Sequence, residues 1–118
     1  MKLYVVRIFV RDWLGACEFY EHTLGLSKGF SDEPLGWAEF DVGGARLGVQ
    51  WVSADDDEGQ ALVGRFLGVS LNVDDIQQSY AELSNKGVVF TAPPKEQPWG
   101  GSLAHFRDPE GNVLTLVG

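Results

Sequence analysis

Few side chains in this sequence are of the types that bind metals or transfer protons, and they are scattered. The chain has two histidines, His22 and His105, and one cysteine, Cys17. The densest group of carboxylates is residues 55–58. A calcium loop needs ligands at alternating positions around a glycine turn, which this run lacks, so we interpret it as a solvated loop. Cys17 falls among the apolar positions of a predicted helix and is expected to be unreactive.

No nucleophile–base pair is evident in the sequence, and His105 is the one catalytic candidate. His105 is a candidate general base or a hydrogen-bond donor to a ligand, and the alternative is a structural histidine. Ser70 could approach His105 in the folded chain, but nothing in the spacing requires this, so a covalent mechanism is not predicted. Gly43-Gly44 lacks the Lys-Ser/Thr and helix that follow in a phosphate-binding loop.

Composition limits the class of protein. The 118 residues are 44% hydrophobic and 22% charged, which is typical of one folded domain. The net charge of −8 argues against nucleic acid as a partner. No apolar run approaches the roughly 20 residues that a membrane span needs. The N-terminus is typical of a strand rather than a signal peptide, and the single cysteine favours a reducing cytoplasm.

The first half of the chain predicts alternating elements around a hairpin. Residues 3–10 form a predicted buried strand, and Asp12 is placed to cap a helix that ends before Gly25. Residues 37–42 and 45–52 are predicted strands joined at Gly43-Gly44, a strong hairpin signal.

The same order then recurs. A strand at residues 67–73, a helix capped by Asp74 or Asp75, and a final hairpin at residues 103–117 repeat the first half. We therefore predict a single α+β domain over residues 1–118, made of two tandem βαβββ modules, 1–53 and 67–118, joined by a linker at 54–66.

Two sequence motifs make the fold prediction more specific. The turn Phe106-Arg107-Asp108-Pro109-Glu110-Gly111-Asn112 before a strand resembles the C-terminal signature of the vicinal oxygen chelate superfamily. Val10-Arg11-Asp12, with Phe19-Tyr20 and Leu24-Gly25-Leu26, is similar to its N-terminal signature, and residues 96–100 resemble bleomycin resistance proteins. The resemblance implies two half-barrel sheets around a cavity, often completed by a second subunit. A flat ferredoxin-like sheet is the competing fold, but it does not explain the final hairpin.

The resemblance also implies where a metal would be held in metal-dependent members. Transferred to this sequence, the four ligand positions are Val5, Gly48, Gly68 and Thr115. None of these residues carries an imidazole or a carboxylate, so no metal and no cofactor are predicted.

The same positions define the face of each strand that would line the cavity. Gly48 and Gly68 are expected to leave open volume there. Arg7 could bind an anionic group or pair internally with Glu39 or Asp41, and Trp99, in a Gly/Pro loop, could stack on a planar ligand. The predicted ligand-binding residues are Arg7, Phe9, Arg46, Gly48, Gln50, Gly68, Ser70, Trp99, His105 and Thr115.

Three functions remain open at this point. The first is a metal-free, homodimeric cytoplasmic protein that binds a small molecule, such as an antibiotic or a planar metabolite. The second is a metal-independent enzyme that uses Arg7 and His105 on a carbonyl or carboxylate substrate. The third is a metal-dependent lyase or dioxygenase with relocated ligands.

Overall fold

The computed structural model describes all residues of the chain, 1–118. The chain has a mixed α+β fold and divides into two units, residues 1–64 and residues 65–118, each built on one open mixed sheet. No helix is long and apolar enough to cross a membrane.

The first unit contains four strands and two helices. They are β1 (Val6–Val10), α1 (Trp13–Glu18), β2 (Ser27–Asp32), β3 (Trp37–Val42), β4 (Ala45–Trp51) and α2 (Asp57–Gln60). A π-helical turn, Phe19–Thr23, extends α1. The strand order is β1-β4-β3-β2, with β1 parallel to β4 and the other pairs antiparallel. Gly43 and Gly44 in the β3–β4 turn both have positive φ, 56° and 92°. A two-residue hairpin loop of type I′ requires positive φ at both of its central residues.

One side of this sheet forms the core of the first unit. Alternate residues of β1, β3 and β4 point to this side, and α1 and its π-helical turn cover it. The buried side chains are Ile8, Val10, Ala16, Tyr20, Ala38, Phe40, Leu47 and Val49. The other side of the sheet carries the polar candidate residues.

Three local features of the first unit differ from the sequence prediction. The first strand begins at Val6 rather than at residue 3, and β2 was not predicted. The segment 54–66, predicted as a linker, contains α2, whose N-terminus is capped by the Asp56 carboxylate accepting from the Gly59 N–H (2.9 Å). The acidic run is therefore partly a helix start rather than only a solvated loop.

The second unit repeats the strand order of the first. Its elements are β5 (Phe66–Asn72), α3 (Ile76–Asn85), β6 (Val89–Phe90), β7 (Lys95–Glu96), β8 (Ser102–Arg107) and β9 (Val113–Val117). The sheet order is β5-β9-β8-β6, with β7 also paired to β8, and β5 is parallel to β9. Asp75 caps α3 by accepting from the Gln78 N–H (3.1 Å). The core side contains Ile76, Val88, Ala104, Phe106, Leu114 and Leu116.

The β8–β9 turn is held by one buried carboxylate. Asp108 Oδ1 accepts from the backbone N–H groups of Glu110 and Asn112, both at 2.9 Å, and Oδ2 accepts from Asn112 Nδ2 at 2.9 Å. Asp108 and Asn112 are both buried. This network fixes the register that brings His105 opposite Thr115.

Candidate functional site

In the first unit, strand alternation gathers a polar and aromatic surface on the side opposite α1. We call it the Glu39 face, and it consists of Arg7, Phe9, Trp37, Glu39, Asp41, Arg46, Gly48 and Gln50. The register places Arg7 and Glu39 on either side of Gly48, and Phe9 and Trp37 on either side of Gln50. The sequence prediction that the first-unit candidates share one face agrees with this register.

Glu39 is the centre of this face. It is buried, with 8% of its surface exposed. The Tyr4 hydroxyl and Trp37 Nε1, the latter at 2.9 Å, donate to Oε2, and Arg46 Nη1 lies 3.5 Å from Oε1. Both oxygens of the carboxylate are therefore engaged by protein groups.

The space above Gly48 is filled. A Cβ atom at this position would lie 2.8 Å from Cζ2 of Trp37, closer still to its Cη2, and 2.9 Å from Cγ2 of Val5. The expectation of open volume at Gly48 is wrong, because the indole of Trp37, oriented by Glu39, reaches across from the neighbouring strand. Strand alternation signals that Trp37 and Glu39 share this face, but it does not give the direction of the indole.

The two arginines of the Glu39 face have different partners. Arg46 lies between two carboxylates, Glu39 and Asp41, with Nε 3.6 Å from Asp41 Oδ1. Arg7 donates through Nη1 to Gln50 Oε1 at 3.3 Å, and its guanidinium lies 5.3 Å from the centre of the Phe9 ring. The predicted alternative of an internal pair between Arg7 and Glu39 or Asp41 is not what forms, because Arg46 takes both carboxylates.

Hydrogen bonding makes Glu39 a stronger acid. The bond from Tyr4, then that from Trp37, and the charge of Arg46 lower the pKa of Glu39, while burial opposes them. The same bond raises the pKa of Tyr4. A carboxyl group with a lowered folded-state pKa adds stability above its unfolded pKa, and this stability is lost as the pH falls through the folded pKa.

We expect Tyr4→Phe to raise the pKa of Glu39 toward its ordinary value of 4.5. Carbon-13 NMR titration of the Glu39 carboxyl measures this directly. Leu3→Ala, which removes an exposed neighbouring side chain, is the control and should leave the titration in place. A Glu39 midpoint that stays the same in Tyr4→Phe would contradict the assigned bond.

In the second unit, one row of polar side chains crosses three strands. We call it the His105 row: Ser70 on β5, Thr115 on β9 and His105 on β8, with Thr115 directly opposite both others. His105 Nδ1 lies 2.8 Å from Thr115 Oγ1, and the ring of Phe66 contacts the imidazole edge to face at 5.5 Å between centroids. Ser70 and His105 are two strands apart, about 10 Å, so Thr115 separates them and they form no nucleophile–base pair.

The remaining second-unit candidates lie at irregular backbone positions. Gly68 has φ of +72° within an irregularity of the β5–β9 pairing, and a Cβ there would meet only Phe66 Cε1, at 4.0 Å. The expected open space is thus present within this unit at Gly68. Trp99 lies in the turn closed by the Gln97 N–H and the Gly101 carbonyl (2.7 Å), and its exposed ring covers Gly101.

Cys17 lies on the core side of α1 and away from the Glu39 face. Burial raises the pKa of its thiol to about 11. We expect iodoacetamide to modify native Cys17 at pH 8 about 100-fold more slowly than an ordinary thiol, because the thiolate is scarce. Mass spectrometry of the native chain, with the guanidinium-unfolded chain as control, measures this. Equal rates in the two states would contradict the assigned burial.

The two sheets define a class of protein with two modules of the same topology, in which the first strand of each module lies at the edge of an open sheet and is parallel to the module's last strand. The chain matches the family model of the Glyoxalase/Bleomycin resistance protein/Dioxygenase superfamily over residues 2–116. The chain belongs to this superfamily, as the turn and helix motifs predict.

The relatives agree with this assignment. The Bacillus subtilis (strain 168) protein named "Uncharacterized protein YraH" is 30% identical, covering 98% of this chain and 97% of its own length. A superfamily member from Sphaerobacter thermophilus DSM 20745 has a similar structure, with TM-score 0.83, 32% identity and coverage of 99% and 96%. A lactoylglutathione lyase from Agrobacterium tumefaciens has TM-score 0.77 at 18% identity, covering 98% and 92%, which is a likeness of fold alone.

The residues of this chain do not fit the divalent metal of the metal-dependent members. The four positions that the resemblance predicts are Val5, Gly48, Gly68 and Thr115, which carry no imidazole or carboxylate, and no group of three or more His, Cys, Asp or Glu side chains is arranged to hold a metal ion. The carboxylate nearest to Gly48 in the sheet, Glu39, has both oxygens engaged. His22 lies on the surface against Glu18 and Glu21.

Proposed function

We propose that this chain binds a small organic molecule without a metal ion. The observation that carries the proposal is the Glu39–Trp37–Gly48 arrangement. At Gly48, where the resemblance predicts a metal-ligand position, the indole of Trp37 covers the backbone, and the adjacent carboxylate of Glu39 accepts from three protein donors. Binding needs apolar walls with a few placed polar groups. Support for this comes from the first unit, where Phe9 and Trp37 share one face of the sheet with Arg7 and Gln50.

The proposed contacts are assigned unit by unit. In the first unit, Arg7 and Gln50 are the proposed polar contacts, since Gly48 is covered and Arg46 is paired with two carboxylates, and Phe9 lies beneath the Arg7 guanidinium. In the second unit, the proposed contacts are the Ser70 hydroxyl, His105 Nε2 and the Phe66 ring, which lies beside both Gly68 and His105. Trp99 adds an exposed indole. The ligand is a planar metabolite or an antibiotic, and we expect a homodimer located in the cytoplasm.

Binding is tested by tryptophan fluorescence and thermal denaturation in the presence of EDTA. A panel of planar antibiotics and aromatic metabolites should include a compound that quenches fluorescence with a micromolar or lower Kd. At 100 times Kd it should stabilise the fold by about 2.7 kcal/mol. Trp99→Phe should reduce the quenching, whereas Trp51→Phe, on the core side of β4, should retain it. No stabilising compound, or binding abolished by EDTA, would overturn the proposal.

A metal-independent enzyme is the second candidate, and the His105–Thr115 bond favours it. With Nδ1 occupied by the Thr115 hydroxyl, the imidazole has a fixed orientation and Nε2 is left to accept or donate a proton. If this function is correct, turnover of a carbonyl or carboxylate substrate is unchanged by chelators and abolished by His105→Ala. Turnover that survives this substitution would exclude His105 as the catalytic base.

A further inference from the structure

Arg7 is a cation that the structure orients but does not neutralise. Its guanidinium makes a hydrogen bond to a neutral amide and lies over an aromatic ring, and it has no ion pair with a carboxylate. Arg46, on the same face, lies within 3.6 Å of a carboxylate oxygen of both Glu39 and Asp41. The two arginines therefore differ in charge compensation although they share one face.

This difference is notable in so acidic a chain. Asp and Glu number 17 against nine Lys and Arg, so an arginine that faces no carboxylate is not explained by a shortage of acids. At the position beside Arg7 the chain has Gln50, which orients the guanidinium and leaves its charge in place. Phe9 is buried and supplies a fixed ring beneath it. Stacking on an aromatic ring leaves the in-plane N–H groups of a guanidinium available for a planar anion.

The orientation of Gln50 adds a second donor. An arginine N–H can only donate, so the amide oxygen of Gln50 must face Arg7. The Gln50 amide nitrogen is then left as a donor beside the guanidinium. The guanidinium of Arg7 and the amide N–H of Gln50 can together donate hydrogen bonds to the two oxygens of a carboxylate.

We propose that Arg7 and Gln50 form a subsite for the carboxylate of a planar organic acid. This inference rests on the proposed small-molecule binding and specifies the ligand class: an aromatic or otherwise planar carboxylate. Arg46 holds Glu39 in place and does not contact the carboxylate. Phe9 holds the guanidinium of Arg7 in its orientation.

The test compares 2-naphthoate with its uncharged analogue, 2-naphthamide, on the intact chain. Affinity is measured by fluorescence titration, and the Nε–H NMR signal of Arg7, assigned by its loss in Arg7→Lys, reports contact. We expect wild type to prefer the carboxylate by about tenfold or more, and Arg7→Gln to abolish this preference. Lys28→Gln removes one positive charge from the surface of the same unit and should retain the preference.

The outcomes separate this inference from the proposed function. Loss of the preference in Arg7→Gln alone, with a naphthoate-induced shift of the Arg7 signal, supports the subsite. Equal binding of the two compounds to wild type, an unmoved Arg7 signal at millimolar naphthoate, or loss of the preference in Arg46→Gln instead overturns the subsite. In those cases other compounds of the binding panel can still support metal-free binding. If no compound binds wild type, both proposals are wrong.

Discussion

Asp108→Ala is expected to lower the free energy of unfolding by about 3–5 kcal/mol. The substitution removes the acceptor of three hydrogen bonds at 2.9 Å, two from backbone N–H groups and one from the Asn112 side chain. Asn112 is fully buried, so water cannot replace the lost bonds without opening the turn. Urea unfolding followed by circular dichroism measures the change.

Asp32→Ala is the matched control for this prediction. Asp32 also accepts a backbone N–H in a turn, from Leu35 at 3.2 Å, but its hydrogen bond is exposed. We expect a loss of about 1 kcal/mol or less there, because water can satisfy the freed donor. Similar losses for the two variants would contradict the assigned role of the buried network.

Gly48→Leu is expected to lower the free energy of unfolding by about 2–4 kcal/mol. The new side chain would enter space held by the Trp37 indole and the Val5 methyl group. Trp37 would have to move, which would break its hydrogen bond to Glu39. Fluorescence-detected urea unfolding measures the effect, and the emission of Trp37 should shift as the indole becomes exposed.

A control and a double substitution make this prediction specific. Gly29→Leu, on the exposed edge strand β2, should change stability by about 1 kcal/mol or less, because a Cβ at Gly29 meets its nearest atoms at 3.7 Å. The double variant Gly48→Leu with Trp37→Leu should lose less stability than the sum of the two single variants, because a smaller side chain at position 37 leaves room for the one at position 48. Additive costs would show that Trp37 does not fill the space above Gly48.

The elements that the sequence predicts well are those with strong local signals. Gly43-Gly44 fixes the β3–β4 hairpin, and the caps Asp12 and Asp75 are as expected. Strand β2, Ser27–Asp32, was missed because it is an exposed edge strand with an irregular register and no apolar alternation. Helix α2 was missed because a four-residue helix has no period to detect.

The candidate surfaces could be predicted only in part. The two-residue period of strands correctly places Arg7, Gly48 and Gln50 on one face, since alternation is a backbone property. It does not reveal that Trp37 covers Gly48, because this depends on a side-chain direction across strands. Tyr4 was also missed as a partner of Glu39: it precedes β1, so the alternation of the strand does not apply to it.

The sequence also does not predict which arginine pairs with which carboxylate on the Glu39 face. The sequence offers two arginines and two acids, Glu39 and Asp41, on the same face, without saying which pairs form. The register resolves this: Asp41 lies opposite Arg46, and Glu39 lies opposite Gly48, within reach of the same arginine. Arg7 is left with the neutral amide of Gln50, so its positive charge is not paired with a carboxylate.

Metal-free binding requires that the chain holds no divalent ion, and a direct measurement of bound metal tests this. The purified chain is equilibrated separately with Ni²⁺, Zn²⁺, Mn²⁺ and Fe²⁺, desalted, and analysed by mass spectrometry for metal content. We expect far less than one ion per chain and an unchanged Tm in each case. One ion per chain that survives desalting, and that is lost in His105→Ala or Glu39→Gln, would contradict the proposal of metal-free binding.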